Sequence, residues 1–336
     1  MATRADVARL AGVSPSTVTY VLTGQRPTTR ATRERVQRAI DELGYRPNRH
    51  ASMLAARSVR TVGVLFRMQR SGIDSNDLEY VEGVRESVEP LGFQVFVPVG
   101  QHSRSPALEG LVHSRALGAA VLMDVAREDE REEYLLAERV PTVLIGTSYR
   151  AGGAPGVDAD FEQMADLAVS HLVELGHRRI LFLMRNIHAD RSNAYAAQTR
   201  GVQAAARRHG VEAVFRSCSD NVIAGAREVK PCGLADECTA VVSNNPSALE
   251  GLVAAAWARG LRVPQEASLV SLALTVARSP TGDLVTEVGV DRPALGRRAG
   301  ALLLHSQEDR SVSGVELVAS RLIDHGSTAP PPRLND

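Results

Sequence analysis

The sequence predicts a two-part protein: a small all-α unit built on a helix-turn-helix, then a larger α/β body of two lobes with parallel sheets. Three observations carry this. At 336 residues the chain is longer than one ordinary core serves. Charge is divided unevenly: residues 1–60 hold eleven Arg and no Lys against four acids, a net of +7, and the other 28 bases and 35 acids give −7, so that the whole is neutral. Near Thr61 the apolar spacing changes from a helical period to short aliphatic runs alternating with amphipathic stretches.

The head comes first. Residues 6–11 read as a short helix with Val7, Leu10 and Ala11 on one face, stopped by Gly12, which tolerates a left-handed turn. A second helix over 15–23 starts at once. Ser14 is a suitable N-cap, and Pro15 fits the first helical position, where an N–H has no partner anyway; Val18, Val21 and Leu22 follow at helical spacing. Two short helices across a three-residue turn containing Gly form a helix-turn-helix. A third helix follows Thr28 and Thr29 and ends at Gly44; Val36, Ile40 and Leu43 face inward, leaving Arg30, Arg33, Arg35 and Arg38 to solvent or phosphate. A basic unit of this kind joined to an acidic body points to a polyanion-binding head.

In the body, aliphatic runs at 62–66, 94–97, 119–123, 142–145, 180–184, 239–242 and 268–272 alternate with amphipathic stretches such as 78–91 and 161–175. That alternation predicts parallel βαβ units. Its recurrence on both sides of about Asp158 predicts two similar lobes, with a cleft beyond the carboxyl ends of the strands.

Other classes find little support. Cys218, Cys232 and Cys238 form no C-x-x-C pair and neither staple a secreted fold nor read as a zinc site. Neither an apolar leader nor a run of about 18 apolar residues is present, which predicts a cytoplasmic protein. No G-x-G-x-x-G after a strand, P-loop, G-x-S-x-G or H-E-x-x-H occurs, so neither an enzyme nor a cofactor is expected.

The runs VARLAGVSPSTVTYVLTG and TRERVQRAIDELGYRPN, then AxxLAARS leading into TVGVLF, resemble the LacI/GalR family of transcription regulators along residues 3–66. HLVELGHRRILFL at 171–183, the segment at 241–270 and ALGRRAGALLL at 294–304 resemble that family's periplasmic-binding-protein-like core. The resemblance implies a DNA-binding head over 1–46, a hinge helix and linker over 47–60, and an effector-binding and dimerisation core over 61–336. Within the core it implies an N-lobe of about 61–157 and 289–316 and a C-lobe of about 158–288 and 317–328.

For the DNA end, the resemblance makes 15–23 the recognition helix. Pro15, Ser16 and Tyr20 then face base edges, Ser14, Thr17, Thr29, Arg33 and Asn48 address the backbone, and Ala51 and Leu54 enter the minor groove from the hinge, with Leu54 as a wedge between central base pairs. Tyr20 stands where many members carry Arg, which grips guanine with two hydrogen bonds as Tyr cannot.

The cleft departs from the family pattern. Where members offer an acid, an Arg three residues before a Gly, an Asn-Asp pair and an acid in a GFDD-like turn, this chain has Gly146, Gln198, Asn244-Asn245 and Ala273, so only Asn244 is kept. Arg200 lies two residues out of phase with the missing Arg. The remaining polar candidates for an effector are Arg67, Asp124, Arg185, Gln198, Asn244 and Asn245, each expected at a strand end. The expected function is a repressor-type regulator that binds a near-palindromic operator as a homodimer and responds to a small molecule in the cleft. The alternatives are a regulator whose degenerate cleft answers to no sugar and, more remotely, a sugar-binding protein or an α/β enzyme. The tail STAPPPRLND has no heptad, which predicts a dimer rather than a tetramer.

Overall fold

The computed structural model describes residues 4–23, 28–43, 60–67, 75–98, 105–186, 191–231, 233–273, 285–309 and 311–332. The chain divides into two compact units, 1–59 and 60–336.

The first unit contains α1 (Arg4–Ala11), α2 (Pro15–Thr23) and α3 (Arg30–Leu43). Its core is Val7, Ala8, Ala11, Val18, Val36 and Ala39, with Val13, Val21, Ile40 and Leu43 packed around them. One reading is corrected here: Leu10 is 47% exposed, and Ala8 takes the inward place assigned to it. At 100° per residue the faces of Val7, Ala8 and Ala11 bracket one direction, and Leu10 falls outside that arc. Gly12 adopts φ 63, the left-handed turn that ends α1.

The second unit holds two six-stranded sheets. The first is ordered β13-β5-β4-β3-β1-β2 and is parallel throughout. Its strands are β1 (Thr61–Leu65), β2 (Gln94–Phe96), β3 (Ala119–Leu122), β4 (Thr142–Ile145), β5 (Gly156–Ala159) and β13 (Val315–Val318). α4 (Ser75–Val88), α5 (Pro106–His113), α6 (Glu130–Ala137) and α11 (Arg292–Glu308) belong to the same lobe. β1, β3 and β4 are buried along their whole length, whereas the edge strands β2 and β13 keep exposed positions. Continuous aliphatic runs mark central strands because both faces are covered. α4 and α11 cross at glycines: a Cβ on Gly83 would stand 2.0 Å from the Pro293 carbonyl oxygen, and one on Gly296 2.2 Å from that of Tyr80.

The second sheet is ordered β14-β12-β11-β10-β6-β7, and only β14 is antiparallel. It comprises β6 (Arg179–Arg185), β7 (Glu212–Cys218), β10 (Ala240–Ser243), β11 (Ser268–Leu272), β12 (Thr286–Gly289) and β14 (Arg321–Ile323). α7 (Phe161–Glu174), α8 (Asn193–Arg208), α9 (Val222–Ala226) and α10 (Pro246–Ala258) accompany it, with a small β8 (Val229–Lys230) and β9 (Gly233–Leu234) ribbon. The chain therefore passes between lobes after β5, after β12 and after β13.

The tail is sewn to this sheet through a buried histidine. His177 Nε2 lies 2.9 Å from the Ala329 carbonyl oxygen, and Nδ1 lies 2.8 Å from Thr239 Oγ1. A carbonyl only accepts, so Nε2 carries the proton and Nδ1 accepts from the hydroxyl. Burial holds the imidazole below its usual pKa and keeps it neutral. Ser327 Oγ donates to Leu269 O at 2.6 Å, tying the tail to β11 as well.

Candidate functional site

Two regions have the makings of a site, one in each unit. In the head, Ser14 Oγ accepts from Thr17 N–H at 3.1 Å and is hydrogen-bonded to Thr17 Oγ1 at 2.9 Å, which starts α2. Val18 is fully buried and fixes the helix's rotation, so Ser14 and Pro15 stand exposed at its start and Tyr20 is half-buried. Thr29 begins α3 in the same manner, accepting from Thr32 N–H at 3.3 Å, while its carbonyl accepts from Arg33 N–H at 3.0 Å. Arg33, Arg35 and Arg38 project exposed from α3. Open helix starts and exposed guanidiniums both suit phosphate oxygens. Asn48, Ala51, Leu54 and the side chain of Ser16 lie outside the described residues.

In the body, the carboxyl ends of the strands bring the cleft candidates into two groups, one per lobe. On the first lobe Arg67 meets Asp124: Nη2 is 3.1 Å from Oδ2, and Nε donates to the Asp124 carbonyl at 3.0 Å. Asp124 follows β3 with φ 51, a left-handed conformation that Asp tolerates better than most residues. On the second lobe Asn244 Oδ1 accepts from Arg185 N–H at 2.8 Å, and Asn244 Nδ2 donates to Gln198 Oε1 at 2.8 Å. Arg185 also pairs with Asp220 at 3.0 Å and lies 4.7 Å over the Tyr195 ring. Two expectations need amendment. Gln198 sits within α8 and not at a strand end, because the polar partner it needs, Asn244, is reached from that helix. Asn245 serves as the N-cap of α10, accepting from Ala248 N–H at 3.1 Å, with its Nδ2 3.2 Å from Ser219 O.

Several residues at this site escaped sequence reasoning. Arg131 is 1% exposed behind the Arg67–Asp124 pair. It bonds Asp129 at 2.7 Å and donates to the carbonyls of Leu65 and Met123, both at 3.0 Å, so it gathers the ends of β1 and β3. Burial opposes ionisation of Asp129, but the Arg131 bonds outweigh it and hold the carboxyl below its ordinary pKa. The Asp129-x-Arg131 spacing was the available signal, but it lies in an acidic run that reads as solvated. Arg292, 6% exposed, bonds Glu287 on β12 and reaches Glu79 on α4 at 3.2 Å, which ties the lobes near the second crossing. Asp158, at the end of β5, is pushed up to about 6 by burial, against hydrogen bonds from Thr147 Oγ1 (2.9 Å) and Ala159 N–H (2.9 Å).

Across the mouth the lobes touch directly. Ala126 and Ser192 form an antiparallel bridge, Asn193 N–H donates to Val125 O at 2.9 Å, and Asn193 Nδ2 donates to Thr147 O at 2.8 Å. Arg200, out of phase with the missing Arg, has its Nη2 3.3 Å from Tyr149 Oη on the opposite lobe. The arrangement is one of neutralised walls: Arg67 and Arg185 each have an aspartate beside them, and two of the amides hold each other.

Comparison with known proteins gives consistent matches. Residues 3–48 match the bacterial regulatory proteins of the lacI family, and residues 169–328 match a periplasmic binding protein-like domain. The HTH-type transcriptional regulator MalR of Streptomyces coelicolor is 30% identical over 348 aligned positions, spanning 99% of this chain and 98% of that protein. The HTH-type transcriptional regulator AscG of Escherichia coli is 26% identical over 312, spanning 86% and 90%. Among solved structures, the lac repressor dimer bound to operator and the anti-inducer ONPF superposes with a TM-score of 0.80 at 24% identity, covering 98% of this chain and 99% of that one.

Proposed function

The chain belongs to the LacI family of bacterial transcription regulators, and from that premise we propose that it represses transcription by binding a near-palindromic operator as a homodimer, with affinity set by the angle between its two lobes. The observation that carries the reading is the head: a helix-turn-helix whose second helix is anchored by buried Val18 and leaves Ser14 and Pro15 exposed at its start, in a unit whose third helix exposes Arg33, Arg35 and Arg38. Relatives named as repressors, the ribose operon repressor of Escherichia coli among them at 28% identity over 314 residues, support the direction of control. Twofold symmetry of a dimer would demand a twofold-symmetric site.

The cleft favours a second reading of the control signal. Arg67 and Arg185 are each paired with an aspartate, and Gln198 and Asn244 are bonded to each other, so few strong polar partners remain for a sugar's hydroxyls. We therefore expect a less polar ligand, or a partner protein, as the effector. It acts by binding one lobe angle more tightly than another and so shifting the population.

Tyr20 offers a test at the level of base choice. A Tyr20→Arg variant is expected to acquire a preference for guanine at one position of each half-site, with discrimination of about 1–3 kcal/mol, because guanidinium bonds O6 and N7 together. Sequencing the duplexes retained by wild type and variant checks this; identical base preferences would remove Tyr20 from the recognition surface.

A further inference from the structure

We propose that the cleft is latched by the protein itself: two loops of the first lobe grip the start of α8 on the second, so that the resting protein in solution has closed lobes and its lobe angle is set by its own bonds. The latch has two parts. The segment after β3 supplies the Ala126–Ser192 bridge and the Val125 carbonyl, which accepts from Asn193 N–H at 2.9 Å. The loop after β4 supplies the Thr147 carbonyl, which accepts from Asn193 Nδ2 at 2.8 Å, and Tyr149, whose Oη is 3.3 Å from Arg200 Nη2 and whose ring lies 5.8 Å from the Arg127 guanidinium.

Burial makes the first part more than a surface contact. Val125 is 2%, Ala126 7%, Ser192 2% and Asn193 7% exposed, so backbone groups here are shielded from water and must find partners in each other. Asn193 is the central residue, since its main chain and its side chain bond two different loops of the opposite lobe. Thr147 is held in turn, its hydroxyl donating to Asp158 at 2.9 Å beside the first crossing. Polar walls that are already paired, as Arg67 is with Asp124 and Arg185 with Asp220, let the lobes approach without a charged guest between them. Any effector must then compete with the latch. The idea rests on the regulator reading only in taking the lobe angle to be the regulated variable.

Cross-linking tests it on the full-length protein without DNA. Residues paired across an antiparallel bridge have Cα atoms about 4.5–5.5 Å apart, within the roughly 4.4–6.8 Å span of a disulfide. An Ala126→Cys/Ser192→Cys protein under mild oxidation, with no small molecule added, should form the 126–192 link nearly completely, as read by peptide mass mapping against the wild-type cysteines. Adding Asn193→Ala and Tyr149→Phe should slow the link measurably, because the closed population loses two of its bonds. Should Asn193→Ala impair folding, Tyr149→Phe alone, at an exposed side chain, should still slow it measurably. A link that barely forms, or a rate indifferent to these changes in folded protein, overturns the latch. A protein that cross-links as expected but selects no operator keeps the latch and loses the regulator reading.

Discussion

Replacing Arg131 with Ala should lower the stability of the body by about 3–5 kcal/mol, the usual loss when one member of a buried ion pair is removed. Its guanidinium bonds Asp129 at 2.7 Å, with both side chains 2% exposed, and it also satisfies the carbonyls of Leu65 and Met123. Truncation leaves an uncompensated carboxylate and two shielded acceptors at the strand ends that form one wall of the cleft. The pair Asp129→Asn/Arg131→Met should cost much less, because no net charge stays buried, although the single amide oxygen of Asn cannot accept, as the two carboxylate oxygens do, from both Arg131 N–H and Ala126 N–H, each at 3.1 Å. Urea denaturation of the single and double variants measures both. A single-variant loss below about 1 kcal/mol would mean that water reaches the site and that Arg131 does not organise these strand ends.

Operator affinity should fall about a thousandfold or more between 50 and 200 mM salt, as expected when about six phosphates are neutralised. The charge for this is confined to residues 1–60, whose net of +7 contrasts with −7 in the rest of the chain. Exposed Arg33, Arg35 and Arg38 on α3 are the described cations free of short ion pairs in that unit, whereas Arg30 is paired with Glu34 at 2.9 Å and Arg9 with Asp6 at 3.1 Å. Fluorescence anisotropy over a salt series gives the slope. A nearly flat dependence would show that base contacts alone hold the complex, against the polyanion-binding role read from the charge division.

Much of the architecture was legible because local signals agreed with one another. α2 and α3 began at Pro15 and Arg30, where a capping Ser14 and Thr29 stood before helical apolar spacing, and the long aliphatic runs became central strands. Strands such as 156–159, 212–218 and 286–289 were missed, since GVDA, EAVFRSC and TEVG carry no uninterrupted aliphatic run. Leu10 was misplaced because four apolar positions competed for one narrow face of a short helix. The cleft was less legible for a different reason. The Gln198–Asn244 bond joins residues 46 apart, and no local period encodes which amide meets which. Asn245 followed by Pro246 did carry a readable N-cap signature, which identifies its structural use. The burial of Arg131 is a tertiary fact: within an acidic run, the Asp129-x-Arg131 spacing alone does not set it apart from exposed Arg127, Glu128, Glu130 and Glu133.

The central claim, that the helix-turn-helix reads duplex DNA as a twofold pair, is tested most directly by selecting binding sites from a pool of random duplexes with the purified full-length protein. The account predicts enrichment, within a few rounds, of one inverted repeat, with Val18→Asp protein, whose head core is broken, enriching nothing. Recovery of sequences no different from the starting pool, or of unpaired half-sites alone, would contradict it.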